Sequence, residues 1–218
     1  MIIASQKSLE EIREMIKGHQ RILILGCGTC VAICLAGGEK EVAVLASSLR
    51  MAEKISGTEK QFAEHTVERQ CEWEFIEEIA DRVKEADAVL SLGCGVGVQT
   101  LAQRFPDTIV LPGVNTLFMG MPLEEGVWGE LCSACGDCIL AETGGICPIT
   151  RCAKGLRNGP CGGYRDGMCE VDPNRECAWV QIYNRLEKVG QLEKLSALQP
   201  LKDYSKMAHP RRIEMKIT

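Results

Sequence analysis

Residues 21–28 read RILILGCG, one charged residue, four large aliphatic ones and a glycine–cysteine–glycine turn. An apolar run this short, without polar alternation and cut off by glycine, is the pattern of a strand covered on both faces, as a parallel sheet requires. The design recurs at 88–95, where the apolar run 88–92 ends in Gly93-Cys94-Gly95. Around these two runs the chain alternates. Residues 41–45 (EVAVL) read as a second strand followed by a helix over 47–55, residues 61–68 as a third strand, and 108–111 as a fifth, closed by Pro112 and Gly113. Helices are predicted over 73–85 and 98–105, and another opens at Ser8, a candidate cap with Glu11 three positions on. Strands alternating with helices place residues 1–120 in the α/β class, as a doubly wound parallel sheet of flavodoxin-like or Rossmann-like type.

Beyond that sheet the physics changes. From Gly120 to Glu176 no helical or strand period persists, and the segment is rich in Gly, Cys and Pro. Eight of the thirteen cysteines stand here, namely Cys132, Cys135, Cys138, Cys147, Cys152, Cys161, Cys169 and Cys177. The first three have C-x2-C-x2-C spacing, which lets thiolates on one tight loop reach different irons of a single cubane, and Cys147 is followed by Pro148. The gap of eight residues before Cys147 is longer than in bacterial ferredoxins, and the later gaps of four, eight, seven and seven match no zinc finger or ribbon. Eight thiols are the ligand set of two [4Fe-4S] clusters; one cluster plus zinc, or zinc alone, are the alternatives. A stretch of fewer than about 70 residues without an apolar core needs a staple, and a metal is the one on offer. Residues 121–189 therefore read as a small cysteine-rich domain stabilised by metal clusters and closed by a helix over 177–188. Residues 190–218 read as an extension, basic at its end, that wraps a neighbour or stays mobile. Arg151, Lys154, Arg157 and Arg165 lie among the thiols, where they either compensate cluster charge or form a solvated face.

Composition narrows the function classes. The chain has 45% hydrophobic and 25% charged residues and a net charge of −5, which gives no reason to expect nucleic acid or an acidic membrane as partner. No apolar run approaches the ~20 residues of a spanning helix, and residues 1–18 lack a signal-peptide core. The expected location is cytoplasmic, where dense cysteines mean metal ligands or catalytic thiols rather than a disulfide framework.

Cys27, Cys71 and Cys94 each follow the carboxyl end of a predicted strand, the first, third and fourth. In a sheet of order 2-1-3-4-5 those ends adjoin the switch point, where ligands bind. Cys30 lies one C-x2-C step beyond Cys27. Four thiols would then meet at one metal, zinc or a third [4Fe-4S] cluster, with Cys34 left as a bystander; the alternative is small buried residues at glycine turns. Gly26-x-Gly28 starts like a dinucleotide fingerprint, but Val31 stands where its last glycine belongs, Gly93-x-Gly95-x-Gly97 is off-pattern, and no acidic residue ends the second strand. His19, His65 and His209 are isolated, and no nucleophile elbow, phosphate loop or carboxylate pair is present.

The run CSACGDCILAETGGICPITRCAKGLRNGPCGGYRDGMCEVDPNRECAWVQIYNRL, residues 132–186, resembles the cysteine-rich methylenetetrahydrofolate reductase C-terminal family. TGGICP and NGPCGG are its specific strings. With GCGTCVAICLAGGEKEV and RQCE, the whole chain is similar to the MetV-type small subunits of acetogen methylenetetrahydrofolate reductases. The resemblance implies a flavin-containing partner subunit that reduces methylenetetrahydrofolate in the Wood–Ljungdahl pathway, and iron–sulfur, with or without zinc, in this chain. No flavin or folate motif carries over to a residue here. The expected function is an electron-transfer subunit, supplied by a ferredoxin or a heterodisulfide-reductase-like module. A structural zinc adaptor is the alternative, and a catalytic crevice in the first domain is a third reading.

Overall fold

A computed structural model describes residues 1–215. The chain divides into two compact units, Met1–Gly129 and Glu130–Thr218. Along the first run β1 (Ile2–Gln6), α1 (Leu9–Met15), β2 (Arg21–Cys27), α2 (Cys30–Ile33), α3 (Glu39–Ser56), β3 (Gln61–Val67), α4 (Trp73–Glu77), α5 (Ala80–Glu85), β4 (Ala88–Ser91), α6 (Gly95–Arg104), β5 (Ile109–Pro112) and β6 (Val114–Glu124). β7 (Val127–Cys132) crosses the division, and α7 (Pro148–Arg151) and α8 (Ala178–Lys188) follow. Among the described residues no helix is long and apolar enough to cross a membrane.

The RILIL run is the middle of a four-stranded parallel sheet of order β3-β2-β4-β5. Side chains alternate across a strand, and here both sets are buried. Ile22 and Ile24 enter a core with α1, α2 and α3, while Leu23 and Leu25 enter a second core with α4, α5 and α6. Burying each such aliphatic side chain contributes about 1.5–3 kcal/mol, which makes this strand the keel of the unit.

The expected second strand is overturned. Residues 41–45 lie inside α3, so the sheet has four strands and the order 2-1-3-4-5 does not occur. Val42, Leu45, Ala46 and Leu49 form a helical stripe on the core, whereas Val44, which a strand would bury beside Val42, is 60% exposed. The Glu41 carboxylate accepts from the Gly38 N–H at the start, and Gly57 closes the end at φ +68°. Four apolar residues after Glu41 suit either period, and only the flanking turns decide. The expected helix over 73–85 is two shorter ones, α4 and α5. Ser8 caps α1, accepting from the Glu11 N–H at 3.1 Å, while Glu11 pairs with Lys7 rather than completing a capping box.

A second, antiparallel sheet of order β1-β6-β7 has no counterpart among the expected strands. Its β1 residues Ile3 and Ala4, with Val114 of β6, join the α1–α3 core. The rest of β6 is largely exposed, and its apolar stretch 117–123 (LFMGMPL) is interrupted by Gly120 and Pro122, which do not read as a strand.

The second unit has little regular structure. Its buried cluster is Cys177, Trp179, Ile182 and Leu186, built on α8, with the Trp179 indole N–H donating to the Leu156 carbonyl at 3.0 Å. The chain after α8 folds back on this same unit. Lys194 donates to the Ala141 carbonyl, and Asn158 and Gln199 bond each other in both directions.

Candidate metal centre

Because β2 lies between β3 and β4, the turns bearing Cys27, Cys71 and Cys94 adjoin at the carboxyl edge. Cys27 is the last residue of β2 and is 8% exposed; Cys94 directly precedes α6; Cys71 lies in the turn between β3 and α4 and is exposed. Burial, then the neighbouring Cys27 and Cys94 thiols, push the Cys71 thiol above its ordinary value. Those three share one neighbourhood. Cys30 opens α2 and sits beside Cys34, whose thiol is raised by burial and further by Cys30. Cys34 itself is a core thiol, accepting from the Ala4 N–H at 3.4 Å and lying 3.6 Å from the Ala4 carbonyl.

Gln70, one residue before Cys71, is the group that joins these turns, and no sequence pattern pointed to it. Its side chain is fully buried. Its amide donates to the Leu25 carbonyl at 2.8 Å and the Gly26 carbonyl at 3.1 Å, and its carbonyl accepts from the Ser91 hydroxyl at 2.5 Å. Ser91 in turn accepts from the Gly93 N–H. The glycines answer to this wedge. A Cβ at Gly93 would lie 2.3 Å from the Gln70 Oε1, and one at Gly97 2.8 Å from the Gln70 Cβ. The off-pattern Gly93-x-Gly95-x-Gly97 string thus makes room for a glutamine.

In the second unit Cys132 ends β7 and starts a loop with two left-handed residues, Ala134 at φ 51° and Gly136 at φ 74°. The Ala134 N–H donates to the Cys132 Sγ at 3.4 Å. Cys147 and Cys152 bracket α7, and Thr150 of that helix donates to the Leu131 carbonyl at 3.0 Å, tying α7 to the Cys132 loop. Cys152 packs on the cluster that contains Cys177. Cys169 and Cys177 lie on a small bridged turn, with N–H groups donating to the Arg175 and Gly167 carbonyls. Cys161 stands by itself against the Glu170 carboxylate at 3.2 Å. Among the described residues no three His, Cys, Asp or Glu side chains stand within reach of one metal ion. All thirteen cysteines are free thiols.

The cations divide unexpectedly. Lys154 pairs with Glu170, and Arg157 donates to the Pro200 carbonyl at 3.1 Å. Lys154 also borders the Cys161 thiol, and Lys202, from the terminal extension, borders Cys135. Burial raises the Cys135 thiol, but the backbone of Asp137 and the Lys202 side chain outweigh it and hold the group below its ordinary value. Lys202 is 8% exposed, and its Nζ has no N or O acceptor among the described residues.

Residues 111–205 match the model of a family described as methylene-tetrahydrofolate reductase C terminal. This segment is similar to that family. It takes in all eight cysteines of the second unit together with Lys202, and leaves out Cys27, Cys30, Cys71 and Cys94. No curated protein and no solved structure matches the chain. The family's name ties residues 111–205 to methylenetetrahydrofolate reductase; the thiol neighbourhood around Gln70 lies in the part of the chain outside it.

Proposed function

We propose that the chain is the iron–sulfur electron-transfer subunit of a methylenetetrahydrofolate reductase complex, serving the flavin of a partner catalytic subunit. The observation that carries this reading is the mismatch between core and length in the second unit. Four buried residues on one helix cannot hold a unit that begins at Glu130, yet eight free thiols are spread through it, inside the reductase family segment. Thiolate donors suit soft-ligand centres, iron–sulfur or zinc. Cys132, Cys135, Cys138, Cys147, Cys152, Cys161, Cys169 and Cys177 would hold two four-iron clusters. A four-iron cluster, when bound, supplies a one-electron carrier.

The residues of the chain set the environment for that chemistry. The Ala134 amide points at the Cys132 sulfur, the kind of N–H···S contact that favours the more negative state. Thr150 fixes α7, and with it Cys147 and Cys152, to the loop of the first three thiols. Cys27, Cys71 and Cys94, with Cys30, are proposed to hold a further centre, zinc or four-iron, on the turns that Gln70 clamps. A ferredoxin or a heterodisulfide-reductase-like module is the proposed electron donor. Pterin chemistry belongs to the flavin subunit.

Iron, sulfide and zinc analysis of anaerobically purified protein tests the reading. The expected result is brown protein with about eight irons in the second unit's clusters, and fewer than about four irons per chain would overturn it. Colourless protein with zinc in place of iron would make the chain a structural adaptor instead.

A further inference from the structure

We propose that the C-terminal extension is a cationic strap over the Cys132–Cys138 loop, and that Lys202 is a positioning residue whose buried ammonium is the counter-charge to the cluster held through Cys135. This rests on the iron–sulfur reading of those thiols. Lysine is almost never buried without a partner, since an uncompensated interior ammonium costs several kcal/mol. Lys202 is 8% exposed, and its Nζ has no hydrogen-bond partner among the described residues. It lies on the strap between contacts that anchor both of its sides, and Cys135 is the thiol it influences.

Its burial is built in by contacts on both sides of it. Ahead of it, the Gln199 N–H donates to the Asn158 Oδ1 at 2.7 Å and the Pro200 carbonyl accepts from Arg157 at 3.1 Å. Behind it, Lys206 reaches the Asp137 carboxylate at 2.9 Å, and Arg211 donates to the Ala134 carbonyl at 2.6 Å. Asp137 and Ala134 belong to the thiol loop itself. The strap therefore lays Lys202, Lys206 and Arg211 on a loop whose own acid, Asp137, is already engaged by Lys206. Arg157 adds an Nε that is buried without a partner. Positive charge is in excess there.

A four-thiolate cubane supplies what is missing. It is anionic when oxidised and more so when reduced, and its thiolates and sulfides accept hydrogen bonds. The charge grows by one on reduction, so a fixed cation at short range in a low-dielectric site favours the reduced form. Lys202 thereby raises the potential of one cluster selectively.

The test compares wild type, Lys202→Met and Lys202→Arg in the full chain, purified anaerobically with its partner subunit. Iron and sulfide are measured first, and the reduction midpoint of each cluster is then followed by EPR. Lys202→Met is expected to keep its iron and to shift one midpoint downward, by about tenfold in the reduced-to-oxidised ratio at fixed poise, or about 59 mV for one electron. Lys202→Arg restores it. If Lys202→Met loses one cluster while Lys202→Arg keeps it, the requirement for charge stands equally supported. Iron-replete Lys202→Met with unchanged midpoints overturns the role of Lys202 and leaves the iron–sulfur reading intact, as does equal loss of iron in both variants. Wild type without iron overturns both.

Discussion

Replacing Gly93 by alanine isolates the contribution of the Gln70 wedge. The new methyl would lie 2.3 Å from the Gln70 Oε1 and 2.7 Å from its Cδ, so the side chain must leave. With it go the bonds to the Leu25 and Gly26 carbonyls and to the Ser91 hydroxyl. At about 1 kcal/mol net for each buried hydrogen bond, the expected loss is about 3 kcal/mol. Gly28→Ala is the control, because its Cβ would meet nothing nearer than the Val67 carbonyl at 3.5 Å, and neither glycine has a left-handed φ. A change within about 0.5 kcal/mol is expected there. Native-state hydrogen exchange by mass spectrometry, read on peptides covering β2 and β4, reports this opening locally, and the Gly93→Ala loss corresponds to about a hundredfold faster exchange. On a Gln70→Ala background the same Gly93→Ala change should cost little further, since the clash partner is gone. Equal exchange in Gly93→Ala and Gly28→Ala, or additive losses in the double variant, would refute the wedge.

Other outcomes follow from the same structure. Asp87 accepts from Arg21 and from the Gln20 and Arg21 N–H groups, with the Arg21 side chain the largest influence, which brings its carboxyl down from 3.8 to about 2. A depressed folded-state value means its stabilisation is complete above 3.8 and lost as pH falls toward about 2, so acid unfolding of Asp87→Asn should lack that part of the slope in a urea–pH titration. Cys34→Ala should cost about 1–2 kcal/mol through the small core cavity and leave metal content unchanged, whereas Cys27→Ala should lower metal content; the two are separated by elemental analysis beside a thermal melt. Cys135→Ala should abolish viologen-dependent turnover of the assembled complex while the first unit keeps its exchange protection, and unchanged turnover would count against a relay role. Chelation of iron should make the second unit, with its small α8 core, susceptible to protease ahead of the first, which a timed digest would reveal.

Some features were readable because they are periodic within a few residues. β2 and β4 announced themselves as short, largely apolar runs because both of their faces are buried, and α8 because Trp179, Ile182 and Leu186 recur at helical spacing. Residues 41–45 misled for the complementary reason, being apolar enough for a strand and too short to exclude a helix. β1, β6 and β7 went unseen because antiparallel pairing joins residues as far apart as Ile2 and Met119, and most of β6 faces solvent. The glycines after β2 and β4 were visible, but their reason was not, since Gln70 approaches Gly93 and Gly97 from another turn.

The order of residues alone determined the inventory of this protein, eight thiols in a coreless segment, more at the ends of parallel strands, and the similarity of residues 111–205 to a reductase family. These are properties of spacing and composition, which the chain carries whatever its shape. Only the tertiary structure decided what surrounds the thiols. It seats Gln70 beneath three cysteine turns and excludes the second expected strand, residues 41–45, from the sheet. It also brings Lys202, from outside the cysteine run, to Cys135. Burial and the absence of a partner are relations between distant segments, and no local pattern encodes them.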